Sequence, residues 1–436
     1  MKKYFYIFVF TLFQFNIHSQ TLYFPPIAGN TWDTISPSSL NWCQPAIDSL
    51  YQMLDENQTN AFILLKDGKI VLEKYFGTFT ATSPWYWASA GKTITSFMVG
   101  MAQQENYLSI DDTTSNYLGA GWTICPQDKE EKITIRNQLT MTSGLNDDVP
   151  DHYCTLDTCL TYLADAGTRW AYHNGPYTLL DSVIQLATGY TLNNYTTQKL
   201  KNPTGMTGTF VTVDYNHVFF STARSMARFG LLILNNGNWN GNQIMTDTNY
   251  FQQMTTPSQF LNPSYGYLWW LNGQSGFLMP GSQFLFPGSW SPNAPSDMIA
   301  ALGKNGQFIN VVPSKNMVWI RMGDNPNQLD VPFLLNDLIW EKINMLDCNV
   351  GIAEEPNENN IAVYPNPVHD KLYVQSKEMI VELEIIDISG KVLISEKLNS
   401  QLFHLPVSSL TQGIYMLRIK NKNGQIVIRK ILRSGE

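Results

Sequence analysis

The stretch Ser89-Ala90-Gly91-Lys92 opens a segment whose apolar residues recur at helical spacing: Ile94, Phe97, Met98 and Met101. This periodicity predicts a buried helix. A lysine three residues after a serine lies on the same helix face, and burial lowers its pKa until it can accept the serine proton. The helix dipole and the first-turn N–H groups favour the oxyanion that forms on attack. We therefore predict Ser89 as a nucleophile and Lys92 as its base; a serine N-cap before a surface lysine is the alternative.

The segment Tyr172-His173-Asn174 supplies a second set of polar groups downstream of the serine. A phenol held beside a lysine ammonium ionises far below its usual pKa of about 10 and then acts as a base. An amide side chain can hydrogen-bond the lysine or a substrate carbonyl. We interpret Tyr172 as a second catalytic proton carrier and Asn174 as the residue that positions Lys92 and the substrate. We expect His173 to point away from the site.

Composition and the first residues indicate an exported globular protein. The net charge of −8 and the pI near 5.3 argue against a nucleic-acid partner. The 436 residues allow one large domain and a smaller one. A basic start followed by a short apolar run predicts a signal peptide at residues 1–19, with an uncleaved membrane anchor as the alternative.

Export places the five cysteines in an oxidising compartment. Cys154 and Cys159 are close enough in sequence for a local disulfide. Cys43 and Cys348 flank the candidate catalytic domain and could join its ends, which leaves Cys125 unpaired. No Cys or His pair has the spacing of zinc ligands, so we expect neither a metal nor an organic cofactor.

The order of predicted elements indicates a modular chain. A hairpin at Lys66-Asp67-Gly68-Lys69 and three late strand-like runs enclose a helical middle, which favours one mixed sheet with an inserted helical region over residues 20–348. Residues 349–361 are polar, acidic and nonperiodic, and we interpret them as a linker. Residues 362–436 show short alternating strands and predict a small β-sandwich.

The first domain resembles the serine β-lactamase and penicillin-binding superfamily, on the class C-like branch that contains esterases, D-aminopeptidases and nylon-oligomer hydrolases. The resemblance spans about residues 40–345. It implies an α+β three-layer sandwich, an antiparallel sheet flanked by helices, with an all-α region over the site, and an acyl-enzyme mechanism. The matching segments are Ser89-Ala90-Gly91-Lys92, Ile133-Thr134-Ile135-Arg136, 139–145, 167–174, 223–230 and 265–270.

The third motif of that superfamily, Lys-Thr-Gly or His-Thr-Gly on an edge strand, is altered here. The sequence is Ala301-Leu302-Gly303-Lys304, and we place Gly303 at the motif glycine, so that Ala301 replaces the cation. The N–H groups of Lys304 and Ser89 would then form the oxyanion hole. Loss of the cation favours a small ester, amide or peptide substrate. A β-lactamase or D-Ala-D-Ala-type peptidase is one alternative, and a noncatalytic penicillin-recognising or surface-binding protein is another.

The last 75 or so residues resemble the type IX secretion sorting domain of Bacteroidota, with a carbohydrate-binding or adhesion module as the alternative. The resemblance implies the type IX secretion machinery as a partner, and export through the periplasm to the cell surface or beyond. The matching segments are Val363-Tyr364-Pro365-Asn366-Pro367, 387–391, Gly413-Ile414-Tyr415-Met416-Leu417-Arg418 and Arg429-Lys430-Ile431-Leu432.

Overall fold

The computed structural model describes residues 22–324, 331–348, 361–387, 390–424 and 426–434. The predicted signal peptide lies outside the described residues, and so does all of the predicted linker except its last residue. Strand β14 begins at Ile361, one residue before the expected start of the C-terminal domain.

The middle of the chain is rich in loops and carries most of the α-helices. The α-helices of the described residues are α1 (Gln44–Glu56), α2 (Lys92–Gln104), α3 (Ser115–Leu118), α4 (Gln127–Glu130), α5 (Ile135–Leu139), α6 (Asn174–Thr188), α7 (Leu192–Thr196), α8 (Asn202–Thr204), α9 (Ala223–Leu234), α10 (Thr248–Met254) and α11 (Phe333–Asn344). Short 3₁₀ turns include Ala88–Gly91 and Lys304–Gly306, and a π-helical turn covers Thr197–Lys201.

The first domain is organised around a six-stranded antiparallel sheet in the order β2-β1-β13-β12-β11-β8. The strands of this domain are β1 (Thr59–Lys66), β2 (Lys69–Tyr75), β3 (Trp85–Tyr86), β4 (Thr209–Val213), β5 (Asn216–Ser221), β6 (Asn238–Trp239), β7 (Asn242–Gln243), β8 (Trp270–Leu271), β9 (Gly276–Phe277), β10 (Phe286–Pro287), β11 (Ile299–Gly303), β12 (Gln307–Val312) and β13 (Met317–Gly323). The predicted hairpin and the three late strands are confirmed.

Helices cover both faces of this sheet. Side chains alternate between the two faces of a sheet along a strand, so consecutive residues of β12 face different helices. Ile309 faces α9, where a Cβ on Gly230 would lie 3.1 Å from it. The next residue, Asn310, accepts a hydrogen bond from Trp340 of α11 at 3.1 Å. The predicted three-layer α+β architecture is therefore confirmed.

The C-terminal domain is a small all-β unit with its own hydrophobic core. Its strands are β14 (Ile361–Tyr364), β15 (Lys371–Ile386), β16 (Val392–Pro406), β17 (Gly413–Asn421) and β18 (Ile426–Arg433). All five belong to one hydrogen-bonded sheet, in which β15 pairs with β14, β16 and β17. Register shifts along β15 let this single sheet curl around its core.

Two disulfides join the cysteine pairs that the sequence suggested. Cys43 and Cys348 connect the start of α1 to the residues after α11, across 305 positions of sequence. Cys154 and Cys159 close a short loop before α6. Cys125 is the free cysteine of the described chain.

Candidate active site

Ser89 lies in the 3₁₀ turn that leads directly into α2, which begins at Lys92 rather than at the serine. Ala88 has a φ of +46°, a conformation that non-glycine residues seldom adopt. The turn is nevertheless fixed, because Ala90 is fully buried and the Trp87 indole donates to Ser221 at 2.8 Å. The chain therefore presents the Ser89 hydroxyl from a rigid, strained turn.

Lys92 is buried beneath this turn, and its side chain is directed at the serine. It is 3% exposed, and its Nζ lies 2.7 Å from Ser89 Oγ, within hydrogen-bonding distance. Burial lowers the pKa of Lys92 to about 7, against the opposing influence of the Asp181 carboxylate. Near neutral pH the amine is therefore present in its uncharged form to a substantial extent.

Tyr172 and Asn174 line the same cavity as Ser89. The Tyr172 ring centroid lies 5.1 Å from Lys92 Nζ, and the ring stacks on Trp270 at 5.9 Å. Asn174 is the first residue of α6 and is 5% exposed. Its Oδ1 has no hydrogen-bond partner among the residues that the structure describes. An amide in that position is available to a substrate or to a rotated lysine.

His173 lies between these two residues but outside the cavity lining. It is 2% exposed, and burial lowers its pKa to about 4. The imidazole is therefore neutral at ordinary pH.

Strand β11 forms the opposite side of the cleft and approaches the nucleophile turn very closely. A Cβ on Gly303 would lie 2.5 Å from the carbonyl oxygen of Trp87 and 2.9 Å from the backbone nitrogen of Ala90. Only a residue without a side chain fits this position. Ala301, on the same strand, is fully buried and carries no charge.

The turn after β11 places Lys304 at the cavity, where it shares the lining with Ser89. Asn305 has a φ of +62° and donates to the Tyr86 hydroxyl at 2.8 Å. The buried Arg321 guanidinium donates to the carbonyl oxygens of Asn305 and Gly306 at 3.0 and 2.8 Å. Hydrogen bonds thus hold the turn Lys304-Asn305-Gly306 in place, next to the close contact of Gly303 with Trp87 and Ala90.

The cavity has a volume of about 740 Å³ and mostly apolar walls. Aromatic and sulfur side chains dominate one wall: Phe277, Met279, Phe286, Trp290 and Phe333. Asp147 also lines the cavity, and Arg169 forms an ion pair with it at 2.6 Å. The Asp147 carboxylate therefore borders the cavity with its charge balanced by the Arg169 guanidinium.

The C-terminal domain contributes to the same cavity. Ile414, Met416, Ile428 and Lys430 stand in its lining, and Lys430 Nζ lies 3.9 Å from Asp337 Oδ2 of α11. Sequence analysis treated residues 362–436 only as an export address and gave no sign of this contact.

Sequence analysis also missed Tyr177, whose ring centroid lies 4.3 Å from Lys92 Nζ. Tyr177 is buried in the first turns of α6, three residues after Asn174. That helical spacing is the only local signal that could have revealed it. Its neutral aromatic face helps hold the lysine in place without adding charge.

The Beta-lactamase family model matches residues 48–328, well over half of the chain. The chain belongs to the beta-lactamase family. Members of this family are typically serine hydrolases, and the contact between Ser89 and the buried Lys92 is consistent with that chemistry. A second family model, the secretion system C-terminal sorting domain, matches residues 362–433 and indicates secretion to the cell surface or outside.

Solved structures resemble this beta-lactamase-family chain at low sequence identity. A candidate 6-aminohexanoate-dimer hydrolase from Bacillus anthracis has a TM-score of 0.57 and 21% identity, covering 72% of this chain and 87% of that one. A penicillin binding protein from Bacillus halodurans has a TM-score of 0.50 and 15% identity, covering 68% and 99%. At such identities the likeness establishes the fold alone.

Among curated proteins, an uncharacterized protein from Alkalihalophilus pseudofirmus is 23% identical over 310 residues, which cover 62% of this chain and 84% of that protein. Within the described ranges, no group of three or more His, Cys, Asp or Glu side chains could hold a metal ion. None of the described helices is long and apolar enough to cross a membrane.

Proposed function

We propose that this beta-lactamase-family protein is an exported serine hydrolase that cleaves a carboxylic ester or amide through an acyl-enzyme on Ser89. The observation that carries the proposal is the buried Lys92 amine, 2.7 Å from Ser89 Oγ. Only an uncharged amine can accept the serine proton, and a pKa of about 7 makes that form available.

The reaction proceeds in two displacements. Ser89 Oγ attacks the carbonyl carbon while its proton passes to Lys92, and the carbonyl oxygen becomes an oxyanion held by the N–H groups of Ser89 and Lys304. Collapse of this intermediate breaks the bond to the leaving group, which takes the proton by way of Tyr172. Water then attacks the acyl-enzyme, loses a proton to the same groups, and releases the acid and the free serine.

Esters and amides are favoured over β-lactams because the strand side of the cleft lacks a cation at the family's third motif. Ala301 occupies that position and is fully buried. A β-lactam or a D-Ala-D-Ala peptide presents a carboxylate, which a lysine or histidine there would bind. The apolar cavity wall suits an uncharged acyl or leaving group instead.

A fluorophosphonate probe and a substrate panel test the proposal. The probe should label Ser89 in the parent and not in Ser89→Ala, whose turnover should fall by at least ~10³ because the nucleophile works as one unit with its base. Ser96→Ala is the matched control: Ser96 is fully buried on the same helix, and its hydroxyl finds no hydrogen-bond partner in the described part of the chain.

The panel contains p-nitrophenyl acetate and butyrate, a chromogenic cephalosporin, D-amino-acid amides and linear amide oligomers. Turnover of esters or linear amides supports the proposal. Preferential turnover of the cephalosporin or the D-amino-acid amides would favour the β-lactamase or peptidase alternative. Equal labelling of the parent and Ser89→Ala would exclude Ser89 as the nucleophile.

Export by the type IX route is part of the same proposal, with residues 1–19 as the signal peptide and residues 362–436 as the sorting domain. The sorting-domain match supports it. Removal of residues 362–436 in the native host should leave the enzyme in the periplasm, and normal secretion of the shortened chain would contradict the assignment.

A further inference from the structure

A hydrogen-bonded group of three polar side chains, Thr95, Asp181 and His217, lies near the candidate base Lys92. Asp181, on α6, is fully buried. Its Oδ1 accepts a hydrogen bond from the Thr95 hydroxyl at 2.9 Å, and its Oδ2 lies 3.1 Å from Nδ1 of His217 on β5. Burying a carboxylate costs free energy unless hydrogen-bond partners such as these satisfy it, so a fully buried aspartate next to the site is a candidate for a functional role.

Two of these hydrogen-bonded side chains lie on the helices that carry the reacting groups. Thr95 lies one helical turn after Lys92 on α2, and Asp181 shares α6 with Asn174. Two phenols face Lys92, with the ring centroids of Tyr172 and Tyr177 lying 5.1 and 4.3 Å from its Nζ, and Tyr265 packs edge-on against Tyr172. Tyr177 and Tyr265 are fully buried, which raises their pKa values well above 10 and keeps both neutral.

We propose that Asp181, held by Thr95 and His217, is a positioning residue that sets the charge of Lys92. The proposal rests on the proposed role of Lys92 as the base. Asp181 does not touch the substrate, because it is absent from the cavity lining. It acts through the electric field of its carboxylate, which favours the ammonium form of the nearby lysine.

His217 maintains this arrangement from the far side. Its hydrogen bond with Asp181 raises the pKa of the imidazole, while burial raises the pKa of Asp181 and the imidazole opposes that rise. The imidazole and the Thr95 hydroxyl therefore both favour the charged carboxylate against the effect of burial. Without Asp181, burial alone would act on Lys92, and its pKa would fall further.

The test is the pH dependence of Ser89 labelling by a fluorophosphonate in the full chain. Labelling should rise with pH as Lys92 loses its proton. In Asp181→Asn, which keeps an oxygen to accept from Thr95, the midpoint of that rise should move down by about one pH unit, the usual influence of one nearby charge. In His217→Gln it should move in the same direction by less, because Asp181 then takes up a proton more readily.

Glu130→Gln is the matched control, since Glu130 is also a buried carboxylate that accepts hydrogen bonds, from Gly121 and Thr123, and it is absent from the cavity lining. Its midpoint should equal the parental one even if its stability falls. Unchanged midpoints in Asp181→Asn and His217→Gln would overturn the proposal.

A direct titration separates this proposal from the one on which it rests. In spectra of ¹³C-labelled lysine, with the Lys92 signal assigned by Lys92→Gln, Asp181→Asn should lower the lysine midpoint. If Ser89 is never labelled, the proposed function fails while this titration still decides the role of Asp181. If Ser89 is labelled normally but the Lys92 midpoint is the same in Asp181→Asn as in the parent, the positioning role of Asp181 is rejected and the proposed function is not.

Discussion

The two sides of the cleft are built on opposite principles. On the helix side, the turn before α2 and the segment that starts α6 present side chains with chemistry: Ser89, Lys92, Tyr172 and Asn174. On the strand side, β11 presents Gly303 and a buried Ala301, and its closest approach to the nucleophile turn is made by backbone. If the proposed mechanism holds, the proton-transfer groups all lie on the helix side, while the strand side contributes the Lys304 N–H group and the shape of the cleft.

Substitution of Tyr172 by phenylalanine should have the largest effect among variants that keep the nucleophile. The ring and its stacking on Trp270 remain, so the free energy of unfolding should change by only about 1 kcal/mol, the net worth of one hydrogen bond. Loss of one of two proton carriers should lower kcat for an amide by about 10²–10⁴-fold. The loss should be smaller for p-nitrophenyl acetate, whose leaving group hardly needs a proton.

Steady-state rates on both substrates check this prediction, with Tyr190→Phe as a control on an exposed tyrosine outside the cavity lining. Parental rates for amide and ester in Tyr172→Phe would mean that Lys92 works alone.

Much of the helix side could be predicted from sequence, because its groups lie close together along the chain. Ser89 and Lys92 are three residues apart, and Tyr172 and Asn174 two apart, so local spacing pairs them within each segment. That the two segments meet in one site was expected from the family resemblance. Periodicity and turn residues predicted a sheet with an inserted helical region, and the antiparallel order with covering helices was implied by the family resemblance.

The missed features depend on contacts between distant segments. Asp181 and His217 are 36 positions apart, and neither lies in a motif. The contact of Met416 with the catalytic domain joins two domains across the linker. No local pattern encodes such pairs, since the chain must fold before they meet. The strand side could be predicted only in part. The position of Gly303 in the third motif could be proposed from the sequence, but its close approach to the nucleophile turn appears only in three dimensions.

A methyl group at Gly303 should disrupt the close contact between β11 and the nucleophile turn. In Gly303→Ala the new Cβ would collide with the backbone of Trp87 and Ala90, so β11 or the nucleophile turn must shift. Such overpacking should cost about 1–3 kcal/mol of stability. Because a displacement of about 1 Å at a reacting group can cost 10²-fold, kcat should fall by about 10–10²-fold.

Gly91→Ala is the control for this variant, because the nearest atom to its Cβ would be 3.5 Å away, an ordinary contact. Thermal unfolding and ester hydrolysis should both be measured. A fully active and stable Gly303→Ala would show that the strand does not restrain the turn, and the contrast between the two sides would lose its basis.

The smallest effect is expected for Lys304→Gln, which tests whether the strand side acts through its backbone rather than its side chains. If the strand side works through its backbone, Lys304→Gln keeps the N–H group proposed to hold the oxyanion and removes the charge of an exposed side chain. Exposed charges contribute up to about 1 kcal/mol, so kcat for an uncharged ester should change by less than about fivefold. An ester that carries a carboxylate discriminates further: its KM should rise in Lys304→Gln if the ammonium group meets that anion, while the KM of the neutral ester stays constant. A fall of kcat on the neutral ester comparable to that of Tyr172→Phe would instead place the lysine side chain among the reacting groups, and the strand side would then contribute chemistry as the helix side does.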